Sequence, residues 1–296
     1  MGIAVPVEMG RLVNGVPVSI DLMEASHLAI QGQTRSGKSV LAYNLLGSLV
    51  GRDDVRVIGC DPSGILLAPF AEAGEPLVSL GQDDVSRHLE VLSWAKRAVD
   101  QRIQAMPAAR VDSIKQVSHE MPLIVVVLEE YAGLLEAAED EDAAEGRRAS
   151  DRLEPKIRRL VRQLAAQSAK AAVRLVLLAQ RAEASILGGA TRSNFGTRIT
   201  LRVDNGDSVR MLHPNASDEL ISQVEAFAPG VGIIEAPSLP RTIFRGHFVD
   251  YETFVNRVVR ARCAYGAERP NGAREGEASV TLPPTCVAGN KVGMYE

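Results

Sequence analysis

The sequence predicts an α/β fold around a mostly parallel sheet, and three observations carry that prediction. Residues 32–39 read GQTRSGKS, a full GxxxxGK[ST] phosphate-loop pattern, with a short apolar run before it at 27–31 and apolar residues at helical spacing after it at 40–50. Residues 123–128 (LIVVVL) and 174–179 (RLVLLA) are continuous apolar runs of the kind buried on both faces of a parallel sheet. A β-rich segment at 55–60 ends in Asp61-Pro62, which puts a carboxylate at a strand's C-terminal tip, the edge where open α/β sheets bind ligands.

The elements follow in chain order. Residues 1–21 alternate weakly around Val13-Asn14-Gly15-Val16, a hairpin signal, so a small N-terminal β-hairpin is expected to lead into the strand of the phosphate loop. Residues 85–106 read as a helix with Leu89, Leu92, Ala95, Val99 and Ile103 on one stripe. Between the two apolar runs the charge changes sign: 136–145 carries six acids, and 147–174 carries nine bases against two acids. Pro155 suits a first helical turn, and Ile157, Leu160, Val161, Leu164 and Ser168 then form a buried stripe with Arg158, Arg159 and Arg162 opposite. That basic face reads as a solvated surface, a contact for nucleic-acid phosphates, or a contact for a neighbouring subunit's acidic loop. Residues 199–203, 232–235 and 243–248 are further strand segments, 251–262 is a helix, and 266–296 is expected to be a flexible tail.

Composition narrows the class. With 296 residues, 46% hydrophobic and 24% charged, the chain is of ordinary globular make-up, without a stretch near the roughly 20 apolar residues of a membrane span or a secretory signal. A cytoplasmic protein is expected. Cys60, Cys263 and Cys286 are far apart and lack zinc spacing, so they read as a reduced core thiol and two incidental ones. The net charge of −4 means that a polyanionic partner must be held by a local basic surface.

The chemistry of the phosphate loop calls for a nucleoside triphosphate, ATP, with Mg²⁺. Gly32, Gln33, Thr34, Arg35, Ser36, Gly37, Lys38, Ser39 and Val40 form the expected cradle: backbone N–H groups wrap the phosphates, Lys38 reaches the β and γ groups, and the Ser39 hydroxyl ligates the metal. Such a site needs carboxylates at a neighbouring strand end, and Glu129-Glu130 follow the LIVVVL run directly. Gln180 follows the second run, where its amide can donate to a phosphate and accept from water.

Taken together, HLAIQGQTRSGKSV, VIGCDP, LIVVVLEEYAGLL, RLVLLAQR, GTRITLRV and RGHFVDYETF resemble, in order and spacing, the motor domain of FtsK/SpoIIIE-type DNA translocases. The resemblance runs from about Arg11 to Arg262 and is similar in compactness to actinobacterial plasmid-transfer and phage-encoded members. It implies a RecA-like P-loop NTPase core over residues 1–265, assembly into hexameric rings around double-stranded DNA, and ATP hydrolysis driving movement along it. It also implies Lys38 and Ser39 as phosphate and Mg²⁺ ligands, Glu130 as the water-activating carboxylate and Gln180 as the sensor. The chain departs from the family pattern in having Glu129 where Asp is usual, which brings the metal-side carboxylate in from a shifted position. The membrane segments, linker and winged-helix module of the cell-division members are also missing, so the motor alone is expected.

Ring motors commonly supply an arginine to the next subunit's site, and Arg198, Arg210 and Arg102 are the candidates. For DNA, the loop 183–194, with Gly188, Gly189 and Arg192, and the stretch 110–119, with Lys115, are the expected phosphate contacts. Two other readings remain open at this stage: a protein-transport ATPase of the type VII secretion kind, and a nucleotide-binding assembly module that does not turn over.

Overall fold

The computed structural model describes residues 5–25, 27–180 and 193–267, with side chains to 261. The helix expected at 251–262 runs on to Ala267, into the first two residues of the expected tail; the rest of that tail from 268, with Cys286, and positions 183–192 of the proposed DNA loop lie outside the described residues. One ten-stranded sheet organises the chain in the order β2-β1-β10-β9-β8-β3-β7-β6-β4-β5. Its strands are β1 (Pro6–Arg11), β2 (Pro17–Asp21), β3 (Leu28–Gln31), β4 (Val55–Asp61), β5 (Val78–Leu80), β6 (Leu123–Glu129), β7 (Val173–Ala179), β8 (Thr197–Leu201), β9 (Val231–Ala236) and β10 (Leu239–Gly246). The half from β8 to β5 is parallel throughout, and the half from β2 to β9 is antiparallel.

The apolar runs lie where their composition demands: β7 is buried at every position and β6 at all but its last. The hairpin forms around Asn14-Gly15, with Gly15 at φ 82° and Leu12 N donating to Val16 O at 2.9 Å. It does not adjoin β3, however. β1 pairs with β10, so the hairpin is the far edge of the sheet. A short hairpin cannot bury its own apolar face, and the unpaired edge of β10 receives it.

The helices are α1 (Lys38–Gly47), α2 (Ala68–Glu72), α3 (Val85–Ala109), α4 (Tyr131–Ala144), α5 (Leu153–Gln167), α6 (Gly206–Leu212), α7 (Asp218–Glu225) and α8 (Tyr251–Ala267). None of the described helices is long and apolar enough to cross a membrane. The charge reversal resolves into α4 and α5. Buried Asp142, from the acidic run, accepts the Leu153 and Glu154 amides at 2.8 and 3.1 Å, satisfying the free N–H groups at the start of α5. On α5, Ile157, Val161, Leu164 and the following Ser168 are buried. Arg159 and Arg162 are exposed, whereas Arg158 is half-buried against Glu154 at 2.6 Å.

Gly59 sets the spacing between β4 and β6. Its φ is 157°, and a Cβ there would stand 2.2 Å from the Val127 carbonyl oxygen on β6. Gly59→Ala must push two core strands apart, so a loss of about 4 kcal/mol or more is expected, read as a lowered urea midpoint. Wild-type stability in that variant would show that β4 and β6 are not this close.

Candidate nucleotide site

Strand register assembles the site. On central β3, Gln31 pairs with Ala179 of β7 on one side and Thr200 of β8 on the other, while Leu178 of β7 pairs with Glu129 of β6. The residues that follow these strand ends, Gly32, Gln180 and Glu130, therefore converge on one edge of the sheet. Gly32 N donates to Ala179 O at 3.2 Å and Glu130 N to Leu178 O at 3.0 Å, which ties the three loops together.

The phosphate loop is closely packed. A Cβ on Gly32 would lie 2.4 Å from Ser36 Oγ, and one on Gly37, at φ 100°, would lie 2.8 Å from Gly230 N. Only glycine suits either position. Gly230 N in turn donates to Ser36 O at 2.8 Å, and Gln33 N to Arg202 O at 2.9 Å, so chain from both sides braces the loop. Arg35 takes a left-handed turn at φ 64°. Thr34, Arg35 and Ser39 are exposed, Gln33, Lys38 and Val40 are half-buried, and Ser36 is buried.

Across the loop, Lys38 Nζ donates to Glu130 Oε2 at 3.2 Å. Glu130 has φ 43°, ψ 58° and starts α4, a left-handed bend that turns the chain sharply out of β6. Glu129 sits deeper. Burial pushes its carboxyl up to about 7; Lys38 opposes that shift, and Asp61 and Glu130 add to it. Its Oε2 is buried and has no hydrogen-bond partner among the described residues, and the same holds for Ser36 Oγ and Arg202 Nε. Orphaned buried polar atoms around a glycine cradle fit a charged polyoxygen ligand with its cation. The residues present would hold Mg²⁺ through Ser39 and Glu129, and phosphates through the loop amides and Lys38.

The other predicted residues divide. Gln180 is exposed at the tip of β7, within the cluster. Asp61, at the tip of β4, is buried but already engaged: its carboxylate accepts from Ser63 Oγ at 2.6 Å, Gly64 N at 3.0 Å and Leu67 N at 2.8 Å, so it shapes its own loop. Arg198 donates to Phe195 O at 2.7 Å and Leu212 O at 3.0 Å, which employs its guanidinium inside its own subunit. Arg102 is buried and donates to the carbonyls of Ala171, Ala172 and Pro122, at the opposite edge of the sheet. The stretch 110–119 is at that far edge too: Ile114 N donates to Lys170 O at 2.8 Å, just ahead of β7. Arg210, by contrast, lies on α6 with its side chain 47% exposed, paired with Asp207 and Asp218.

Sequence reading passed over Arg202, Gly230 and Gln31 at this site. Arg202 had a usable signal, since it closes an apolar strand that could flank β3. Gly230 had none, because its role depends on contact with a loop 193 positions earlier.

Known proteins resemble this chain in sequence and in fold. The FtsK/SpoIIIE family profile covers residues 3–231. "DNA translocase FtsK" of Borreliella burgdorferi is 26% identical over 233 residues, 74% of this chain and 28% of the relative. "DNA translocase SftA" of Bacillus subtilis is 29% identical over 210 residues, 67% of this chain and 20% of the relative. This chain thus corresponds to under a third of either protein. Among solved structures, the pCW3 conjugation coupling protein TcpA, in a monomer form with ATPγS, superposes with TM-score 0.68 at 17% identity, covering 87% of this chain and 70% of that one. The cytoplasmic domain of the type VII secretion ATPase EccC from Thermomonospora curvata does so with TM-score 0.64 at 20% identity, covering 94% and 32%. These two share the P-loop ATPase fold, and the family profile spans the phosphate loop, both carboxylates and Gln180. The chain belongs to the FtsK/SpoIIIE family.

Proposed function

We propose that this chain is an ATP-hydrolysing motor that translocates double-stranded DNA, working as a ring, a hexamer by resemblance to its family, with nucleotide sites between subunits. The observation that carries the reading is the Lys38–Glu130 pair at 3.2 Å, which joins the phosphate loop to the carboxylates at the end of β6. Bound Mg²⁺ would neutralise phosphate charge and polarise the γ-phosphoryl group. Lys38 and the loop amides hold the phosphates. Gln180 orients the attacking water and Glu130 accepts its proton; the water oxygen bonds to the γ-phosphorus as the bond to the β–γ bridging oxygen breaks, and ADP and phosphate leave.

Arg210 is the arginine we assign to the neighbouring site. Arg198 and Arg102 are bonded to carbonyls of their own subunit, while the partners of Arg210 among the described residues are the exposed carboxylates of Asp207 and Asp218. Subunits carrying Arg210→Ala are expected to lower turnover about 10³-fold when they form the whole ring. Mixing them with Lys38→Ala subunits should restore part of the activity, because each mutant supplies the half-site the other lacks. No recovery on mixing would place Arg210 outside the interface.

DNA is the second part of the test. Phosphate release is expected to rise on adding duplex DNA of arbitrary sequence at about 50 mM salt and to lose that stimulation by about 200 mM, as phosphate contacts demand. Release indifferent to duplex at low salt removes DNA as the cargo and favours protein transport. Nucleotide binding with no release, with or without DNA, favours the assembly module.

A further inference from the structure

Gln31 is the last residue of β3, immediately before the phosphate loop, and it is fully buried. A buried primary amide at a central strand end needs partners, and its Nε2 has two. One N–H meets Thr200 Oγ1 on β8 at 2.8 Å, and the other meets the Ser208 carbonyl on α6 at 2.7 Å. Ser208 is clamped from its other side as well, its N–H donating to the Asn205 side chain at 2.8 Å.

The network continues in one direction. Thr200 Oγ1 lies 3.0 Å from His213 Nε2, and His213 Nδ1 lies 3.0 Å from Glu235 Oε2. Arg241 Nε donates to the same carboxylate at 3.0 Å. A neutral imidazole with its proton on Nδ1 satisfies every contact: Gln31 donates to Thr200, the Thr200 hydroxyl to Nε2, and Nδ1–H to Glu235. Burial holds His213 in that neutral form. His213 directly follows α6, so the helix is fixed at its start through Ser208 and at its end through His213. Arg210 lies between these two anchors.

We propose that Gln31 is a positioning residue that couples the phosphate loop to α6, so that occupancy of one subunit's nucleotide site sets the placement of Arg210. This rests on the reading of residues 32–39 as the nucleotide site. Any shift of Gly32 as the loop closes on phosphate is relayed by the adjoining Gln31 amide to the Ser208 carbonyl. Buried networks with every donor and acceptor matched transmit such shifts because breaking one link leaves an unsatisfied polar atom.

Amide hydrogen exchange over residues 206–212, with and without ATPγS, tests the coupling, alongside direct titration of ATPγS binding. In the wild-type chain, exchange is expected to slow about five-fold or more on binding. Gln31→Met keeps the side-chain length without the donors, so it should bind ATPγS and lose that slowing. Thr200→Val should weaken the effect and Thr200→Ser retain it, which supplies a comparison if Gln31→Met does not fold. Wild-type binding with unchanged exchange at 206–212, retained slowing in Gln31→Met, or equal behaviour of the two Thr200 variants would each overturn the coupling. Absence of ATPγS binding in the wild type would be registered by the titration and would remove the nucleotide reading itself.

Discussion

Glu130→Gln is expected to slow steady-state phosphate release about 10²- to 10⁴-fold, the usual contribution of a positioned general base. Nucleotide affinity should move the other way. Lys38 spends its charge on Glu130 at 3.2 Å, and the incoming phosphates must displace that partner. The pair is partly exposed, at 12% and 27% for the two side chains, so it is worth about 1 kcal/mol and its removal should tighten binding a few-fold. The amide is nearly isosteric with the carboxylate, so the left-handed bend at Glu130 is preserved. Phosphate release and nucleotide titration on the same preparations give the answer: unchanged release moves the base elsewhere, and unchanged affinity shows that Lys38 is not held back by Glu130.

Acid should unfold the chain through two buried histidines. Burial lowers His27 to about 4, with Arg174 adding to the shift, and burial likewise lowers His213 to about 4. Hydrogen bonding agrees with neutral rings: His27 Nδ1 accepts from Leu175 N at 3.1 Å, which leaves Nε2–H to donate to Ala165 O at 3.0 Å. A folded-state value below the unfolded 6.5 means that this stability is complete above pH 6.5 and is lost as pH falls toward 4, by about 3 kcal/mol per histidine at the limit.

Glu129 has the opposite sign. Its folded value near 7 exceeds its unfolded value, so its contribution is complete at low pH and is lost as pH rises through 7. It is only partly buried, so after solvent screening its share is about 2 kcal/mol. The net expectation is a loss of about 4 kcal/mol between pH 6.5 and 4 in EDTA, a large fraction of ordinary domain stability. Urea midpoints across that range measure it. Glu129→Gln should be more stable than wild type at pH 8 and fall more steeply on acidification. A flat profile would mean that both histidines are charged in the fold.

Most of the parallel half was legible because its signals are local. LIVVVL and RLVLLA are apolar at every position, which a sheet covered on both faces requires, and the phosphate loop lies between a strand and a helix that its sequence already marks. α6 and α7 were missed. At 7 and 8 residues they are too short for periodicity to stand out, although Asn205 and Ser217 cap them in the expected way. The antiparallel half was recognised strand by strand but not in its order, since pairing of β1 with β10 joins residues more than 230 positions apart.

Local pattern was enough for the chemical inventory: a glycine cradle, a lysine, two carboxylates and a glutamine, at the ends of strands whose burial followed from composition. Tertiary structure alone decided how those groups and the arginines are used. Arg198 faces the Leu212 carbonyl, Arg102 is at the far edge of the sheet, Arg210 remains exposed, and Gln31 reaches Ser208. The physical reason is that a polar side chain takes whichever partners the packed chain brings within about 3 Å. The Leu212, Ala171 and Ser208 carbonyls lie 14, 69 and 177 positions from Arg198, Arg102 and Gln31, beyond any local pattern.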